Sequence, residues 1–177
     1  MAFKYGKNAN DFLSVDGIFT TGDKHNINDG KYNGVLTGNN WTAPGAVHFS
    51  TGLYLLLPHG YVVNRFNAAV IDIQNIGYGL GAGTFTGSYD LIPNKLKIKS
   101  SFGTGFAPVS PANGGNYIGS EINLNLLYRP KVFMDIELHA AYLSLGDFFD
   151  SPVVNGNLDY RPKNPWTVFA TLKWIMF

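Results

Sequence analysis

Three residues whose chemistry suits a nucleophilic site occur in the first third of the sequence. His48 and Ser50 are two residues apart, and Asp16 lies on an earlier segment. A serine hydroxyl beside a histidine that an acid orients can act as a nucleophile. No local sequence motif surrounds these residues, however, and serine is common on polar strand faces. We therefore predict that the protein is not an enzyme.

Acidic and imidazole side chains also alternate in the C-terminal part of the chain. Asp135, Glu137 and His139 follow one another at intervals of two residues, and both carboxylate and imidazole are metal ligands. The polar face of any strand gives this spacing, because successive side chains point to opposite sides. The sequence has no cysteine, which excludes disulfides and thiolate metal sites. We expect neither a metal site nor a cofactor.

The segments that carry these residues alternate between apolar and polar positions. In residues 132–142 one set of alternate positions is apolar or aromatic, while the other set includes the acids and the histidine. A period of two residues is typical of a half-buried strand. The same pattern, with varying clarity, predicts eight strands at residues 12–21, 47–57, 62–73, 81–91, 96–106, 118–129, 132–142 and 166–176.

Short and long links largely alternate between the predicted strands. The short links lie at residues 57–61, 92–95 and 129–131, with an unexpectedly short one at 75–79. The long links, rich in Gly, Asn, Asp and Pro, lie at residues 22–45, 107–117 and 146–165. Transmembrane barrels alternate short periplasmic turns with longer extracellular loops. The sequence thus predicts a single domain, residues 1–177, that forms an up-and-down antiparallel transmembrane β-barrel of about eight strands, with both termini on the short-turn side.

The composition agrees with a β protein that meets lipid. Hydrophobic residues make up 45% of the chain and charged residues only 14%, whereas soluble domains carry about 25% charged residues. The formal net charge of +1 gives no reason to expect nucleic-acid binding. No apolar run is long enough for a transmembrane helix, and the N-terminus has no apolar signal region. An outer-membrane location therefore requires a mature or recombinant chain without its signal peptide.

A soluble sandwich or lipocalin-like barrel would also contain alternating strands. Its apolar face would point inward, and its polar face would be in water. The polar faces predicted here are poor in Lys and Glu and rich in Gly, Ser, Thr and Asn, unlike a typical solvated surface. Strands of about 9–11 residues also suit a tilted membrane crossing. These two features favour the membrane barrel over the soluble protein.

Several stretches resemble known outer-membrane proteins. Residues 166–177, WTVFATLKWIMF, resemble the closing strand of Gram-negative outer-membrane β-barrels, which ends in an aromatic residue, although the apolar positions here are one residue out of phase. The stretches GYGLGAG (77–83), SYDLIPNKL (88–96), YIGSEINL (117–124) and LGDFFD (145–150) resemble the C-terminal strands of alginate-export-type porins. The resemblance implies either a small eight-stranded relative or the C-terminal part of a larger barrel.

If the apolar face meets lipid, the polar face lines the lumen. Its candidate residues are Asp16, Arg65, Lys97, Lys99, Glu121, Arg129, Asp135, Glu137, His139 and Lys173. An eight-stranded barrel is just wide enough for side chains to fill, so these groups either form a stabilising ion-pair network or line a narrow pathway that sets ion preference. Aromatic rings favour the lipid–water interface, and the candidates are Tyr89, Phe106, Tyr128, Tyr142, Trp166 and Trp174.

The function that these features predict is a passive pore, or part of one, for ions or small polar solutes. The alternative is a non-conducting structural or surface-interaction barrel with its function in the extracellular loops, because eight strands leave little lumen. The expected partners are the lipid bilayer and a small polar solute, and not nucleic acid. Phe148 and Phe149, in the last long link, are expected to pack into the barrel mouth.

Overall fold

The computed structural model describes residues 1–25, 29–34, 53–56 and 75–175 and shows one antiparallel sheet of seven strands. The strands are β1 (Ala2–Lys4), β2 (Phe12–Phe19), β3 (Gly81–Ile92), β4 (Leu96–Phe106), β5 (Tyr117–Lys131), β6 (Met134–Leu145) and β7 (Trp166–Trp174). Each strand pairs with the next along the chain. The predicted all-β antiparallel architecture is therefore confirmed.

Among the described residues, helical structure is limited to short elements. These include 3-10 helices at Asn75–Gly77 and Asp147–Asp150 and one α-helix, α1 (Pro152–Asn155). None of the helices among the described residues is long and apolar enough to cross a membrane. The long strands are thus the main structural elements of the described chain.

Six of the predicted strands correspond to β2 through β7, with small shifts at their ends. The turn predicted at residues 129–131 is displaced, because Lys131 pairs with Met134 and the chain reverses at Val132 and Phe133. The ladder is irregular between Tyr128 and Lys131, at Pro130, which has no backbone N–H to donate. β1 was not predicted, because three residues are too few to show an alternating pattern.

The order of the strands contradicts part of the prediction. β2 pairs directly with β3, from Phe12 opposite Ser88 to Phe19 opposite Gly81. No room remains between β2 and β3 for the strands predicted at residues 47–57 and 62–73. Residues 53–56 have no strand conformation and form a bend instead, whereas the rest of those two segments lies outside the described residues.

The sheet has two distinct ends. Turns at residues 93–95 and 132–133 mark the hairpin end, and the longer links at 107–116 and 146–165 mark the loop end. The predicted short link at 92–95 and the long links at 107–117 and 146–165 are confirmed. Within the described ranges, β1 and β7 are the edges of the sheet and do not pair with each other. Because β1 begins opposite Ser14, inside β2, Met1 does not lie at the hairpin end, where both termini were predicted.

The exposed face of the sheet carries the large apolar side chains, and the buried face carries the polar ones. A soluble protein has the reverse arrangement. On one side, called the apolar face, large side chains are open: Phe102 is 50% exposed and Ile122 57%. On the other side, called the polar face, Ser101 and Asn123 are 1% and 4% exposed. The alternation of β-strand side chains separates the two sets, but the buried set is the polar one.

Candidate functional site: the polar face of the sheet

The charged residues predicted to line a lumen lie on the polar face wherever the structure describes them. Directly paired residues of neighbouring strands point to the same side. The pairs that align this face include Asp16 with Thr84, Asp90 with Lys97, Ser88 with Lys99, Gly103 with Glu121, Asn125 with His139, Leu127 with Glu137, and Asp135 with Lys173. Arg65 lies outside the described residues. That this face lines a lumen stays a prediction.

Charged groups of both signs meet near the hairpin end of the polar face. Arg129 donates from Nε and Nη2 to the two carboxylate oxygens of Asp135, at 2.6 and 3.2 Å. Asp90 accepts two hydrogen bonds from Asn10 Nδ2, at 3.0 and 3.2 Å. The Arg129 and Asp135 side chains are 38% and 20% exposed, so this end of the face is partly accessible.

His139 occupies the middle of the polar face and is contacted from both sides. Its Nδ1 lies 3.0 Å from the Tyr54 hydroxyl and 3.0 Å from Asn125 Nδ2. Its Nε2 lies 3.3 Å from Glu137 Oε2, and its ring stacks on Phe169 with centroids 4.4 Å apart. Because the amide nitrogen of Asn125 only donates, we assign Nδ1 as the acceptor and Nε2 as the protonated nitrogen. Both nitrogens are therefore engaged.

Glu121 is the charged residue that the fold encloses most completely within the described ranges, with 0% exposure. Its carboxylate accepts hydrogen bonds from the backbone N–H groups of Tyr54, Leu55 and Leu56, at 2.7, 2.8 and 2.6 Å. Asn123 Nδ2 donates to the same carboxylate at 3.2 Å. A buried carboxylate needs partners of this kind to offset its lost hydration. These contacts bring residues 53–56, called the inner segment, onto the polar face.

Toward the loop end, apolar side chains cover the polar face. This layer consists of buried residues: Leu53, Leu55, Leu56, Leu80, Ala82, Ala107, Ile118, Ala141, Leu143, Leu145, Phe148 and Phe149. Phe148 and Phe149 are 0% and 2% exposed, so both rings are buried, whereas their place in a barrel mouth stays a prediction. The polar face thus has a charged half near the hairpins and an apolar half near the loops.

The aromatic residues predicted for a membrane interface occupy the two ends of the apolar face. Tyr142 pairs with Trp166 toward the loop end, whereas Trp174 pairs with Met134 beside a hairpin turn. All six predicted residues are substantially exposed: Tyr89, Phe106, Tyr128, Tyr142, Trp166 and Trp174. Their placement in a lipid interface stays a prediction.

The described residues do not assemble the nucleophilic or metal-binding groups considered from the sequence. Asp16 lies opposite Thr84 on the polar face, with its carboxylate 3.9 Å from the N-terminal amine. His48 and Ser50 lie outside the described residues. Among the residues that the structure describes, no three His, Asp or Glu side chains form a group that could hold a metal ion.

A loop contact fastens the last long link to the sheet. Arg161 donates to both carboxylate oxygens of Asp150 at 2.7 Å and to the Leu145 carbonyl at the end of β6 at 3.2 Å. The hydrogen bonds from Arg161 lower the pKa of Asp150 below its ordinary value of 3.8. Both side chains are about 40% exposed, so solvent screens the pair.

Asp150→Asn is expected to destabilise the protein slightly, by less than about 1 kcal/mol at pH 7. Because the pKa of Asp150 is lower in the folded state, its contribution is present above the unfolded pKa and is lost as the pH falls through the folded pKa. The difference in melting temperature between wild type and variant should therefore shrink below about pH 4. Melting curves between about pH 7 and about pH 2.5 measure this across the range in which the carboxyl titrates, and a difference that grows in acid would contradict it.

Comparison with models of known protein families, with curated proteins and with solved structures found no match to this chain. The two faces of the sheet and the contacts of the inner segment are therefore the features that bear on function.

Proposed function

We propose that the protein is an outer-membrane β-barrel that acts as a passive pore, or as part of one, for ions or small polar solutes. The observation that supports this most strongly is the inverted burial of the sheet. Phe102, Ile122 and Trp166 are 50%, 57% and 71% exposed, while Ser101 and Glu121 are 1% and 0% exposed. Lipid is the surrounding in which an outward apolar face and an inward polar face are both stable.

The extent of the apolar face argues against an aqueous surrounding. Exposed apolar or aromatic side chains occur on every strand from β2 to β7, from Val15 to Trp174. Soluble monomers rarely expose a contiguous apolar patch of more than a few hundred Å². β4 has eleven residues and is therefore about 33 Å long between its terminal residues, at about 3.3 Å per residue. When tilted by about 40°, a strand of this length spans about 25 Å, the height of the apolar band of an outer-membrane barrel.

Closure of the sheet follows from the same proposal. In lipid an open sheet edge leaves N–H and C=O groups without partners, at a cost of several kcal/mol for each group. We therefore propose that the outer edges of β1 and β7 are paired in the membrane. Because every pairing from β1 through to β7 is antiparallel, these two strands run in the same direction. An antiparallel closure around the polar face therefore takes at least one further strand between them, as an even-stranded barrel requires.

The charged half of the polar face supports solute passage. Arg129, Asp135 and Lys173 lie close to one another at the hairpin end, and charges of both signs there favour small polar solutes without a strong preference for one sign. The apolar layer at the loop end favours the second candidate function, a non-conducting barrel that acts through its loops. Phe148 and Leu143, both at 0% exposure, belong to that layer.

Refolding into detergent followed by recording in planar bilayers tests the proposal. We expect unheated protein to migrate differently from heated protein on a denaturing gel, and voltage to produce stepwise currents. Inserted protein that leaves the bilayer sealed would favour the non-conducting barrel. A monomer that stays soluble without detergent, with no heat-dependent shift, would contradict membrane insertion altogether.

A further inference from the structure

We infer that Glu121 anchors the inner segment across the polar face and thereby restricts the pore. This inference rests on the proposed function as a pore, and it assigns the restriction to one carboxylate. Glu121 is a positioning residue in this account: it holds the backbone of residues 53–56 in place and need not contact a passing solute.

The geometry around the carboxylate supports the role of Glu121 as an anchor. Three consecutive backbone N–H groups, those of Tyr54, Leu55 and Leu56, converge on Glu121 within 2.8 Å. Hydrogen bonds to an ionised acceptor are about twice as strong as neutral ones. In a strand, these N–H groups would bond to a neighbouring strand. The bend directs them toward the sheet instead. The carboxylate therefore fixes the conformation of the inner segment as well as its position.

The inner segment also packs against β4. A Cβ atom placed on Gly103 would lie 2.5 Å from a methyl carbon of Leu53, so a larger residue at this position would require the Leu53 side chain to shift. At Gly105 the Leu56 side chain lies 3.7 Å from the corresponding position. Glycine at these two positions creates a groove in the strand that leucine side chains fill. An incidental contact would not require this complementarity.

Tyr54 gives the inner segment contacts with β6 and β7. Its hydroxyl lies 3.0 Å from His139 Nδ1, and its ring meets Phe169 edge-on, with centroids 5.9 Å apart. The inner segment therefore contacts β4, β5, β6 and β7, across more than half of the sheet. A segment with that reach narrows the space enclosed by the polar face.

A disulfide tests the position of the inner segment directly, because the chain has no cysteine of its own. In the double variant Leu53→Cys/Gly103→Cys, we expect oxidation to link the two positions in folded, detergent-solubilised protein, as seen by gel mobility and mass spectrometry. The matched control is Leu53→Cys/Phe102→Cys, whose second thiol lies on the opposite face of β4 and should stay reduced. Folded, heat-modifiable protein that forms no link between positions 53 and 103, or that links both pairs equally, would overturn the inference.

Conductance tests the role of the anchor. Glu121→Ala is expected to raise the time-averaged conductance in planar bilayers by on the order of tenfold. Losing one net hydrogen bond already shifts the equilibrium between the anchored and the released inner segment by up to about that factor. Glu121→Gln keeps an acceptor and should give a smaller rise. Asp16→Ala is the control, because it removes one negative charge from the same face on β2, outside the four strands that the inner segment contacts.

The disulfide and the anchor variant are then combined. When Glu121→Ala is added to Leu53→Cys/Gly103→Cys, oxidation should return the conductance to the wild-type level, and reduction should raise it again. A structural defect of the barrel would not reverse in this way. If the variants insert and link but Glu121→Ala conducts like Asp16→Ala, or both stay sealed, the inference is wrong while the membrane proposal stands. Failure of every variant and of wild type to insert would instead reject the proposed function and the inference with it.

Discussion

Ile122→Arg is expected to destabilise the membrane-inserted protein by about 2–4 kcal/mol. Ile122 lies in the interior of β5 on the apolar face, with 57% of its surface exposed. In a bilayer that exposed surface faces hydrocarbon, where a guanidinium loses its hydration and has no partner. Equilibrium unfolding in phospholipid vesicles measures the free energy of unfolding. Denaturant is added stepwise, and unfolding is followed by tryptophan fluorescence.

Val132→Arg is the matched control for this prediction. Val132 lies in the turn between β5 and β6 and is more exposed than Ile122, at 79%. At the hairpin end the new charge reaches water, so we expect a loss of about 0–1 kcal/mol. For a soluble protein both substitutions would fall on a wet surface and would be nearly neutral. Equal, small effects at the two positions would thus contradict a lipid-facing apolar face.

The strands from β3 to β7 could be predicted from the sequence because their two faces differ in polarity. In β4, Phe102 and Phe106 alternate with Ser101, Gly103 and Gly105, and this contrast has a period of two. The same contrast placed the charged candidates on one face. It did not show which face is buried, because a soluble and a membrane barrel have the same alternation. The structure adds that the polar face is the buried one.

The inner segment shows why the prediction failed for residues 53–56 of the expected strand at 47–57. Leu53, Tyr54 and Leu55 alternate as a strand would, so the local pattern predicts extended structure. In the fold, the amide groups of this segment bind the carboxylate of Glu121, more than 60 residues away in sequence. A contact between such distant residues leaves no periodic signal in either segment. The direct pairing of β2 with β3 was missed for the same reason.

Glu121 illustrates how much of the candidate site was accessible to sequence reasoning. Its position on the polar face follows from alternation with Ile122 and Ser120 on a predicted strand, since neighbouring side chains point to opposite faces. Its complete burial does not, because burial depends on the inner segment that covers it. A lone acid among Gly and Asn on a strand face gives no sign in the sequence of the backbone that covers it. The charge was found from the sequence, whereas its partners required the structure.

Phe148→Ala is expected to lower the free energy of unfolding by about 3–5 kcal/mol, the usual cost of removing a buried aromatic ring. Phe148 is 0% exposed and meets Tyr78 and Phe149 edge-on, with centroids 5.9 and 5.5 Å apart. The 3-10 helix Asp147–Asp150 places the ring beneath the last long link. These two aromatic neighbours could fill the space of the lost phenyl ring only by giving up contacts of their own, so a cavity remains.

Tyr160→Ala is the control for this substitution, since Tyr160 belongs to the same long link but is 67% exposed, and we expect a change within about 0.5 kcal/mol. Unfolding in vesicles measures both variants, and equal effects would contradict a packed apolar layer at the loop end. The comparison also bears on the proposed function, because this apolar layer is the feature that favours a non-conducting barrel over a pore. If Phe148→Ala raises the bilayer conductance while Glu121→Ala does not, the buried rings of the last long link, and not the inner segment, limit passage.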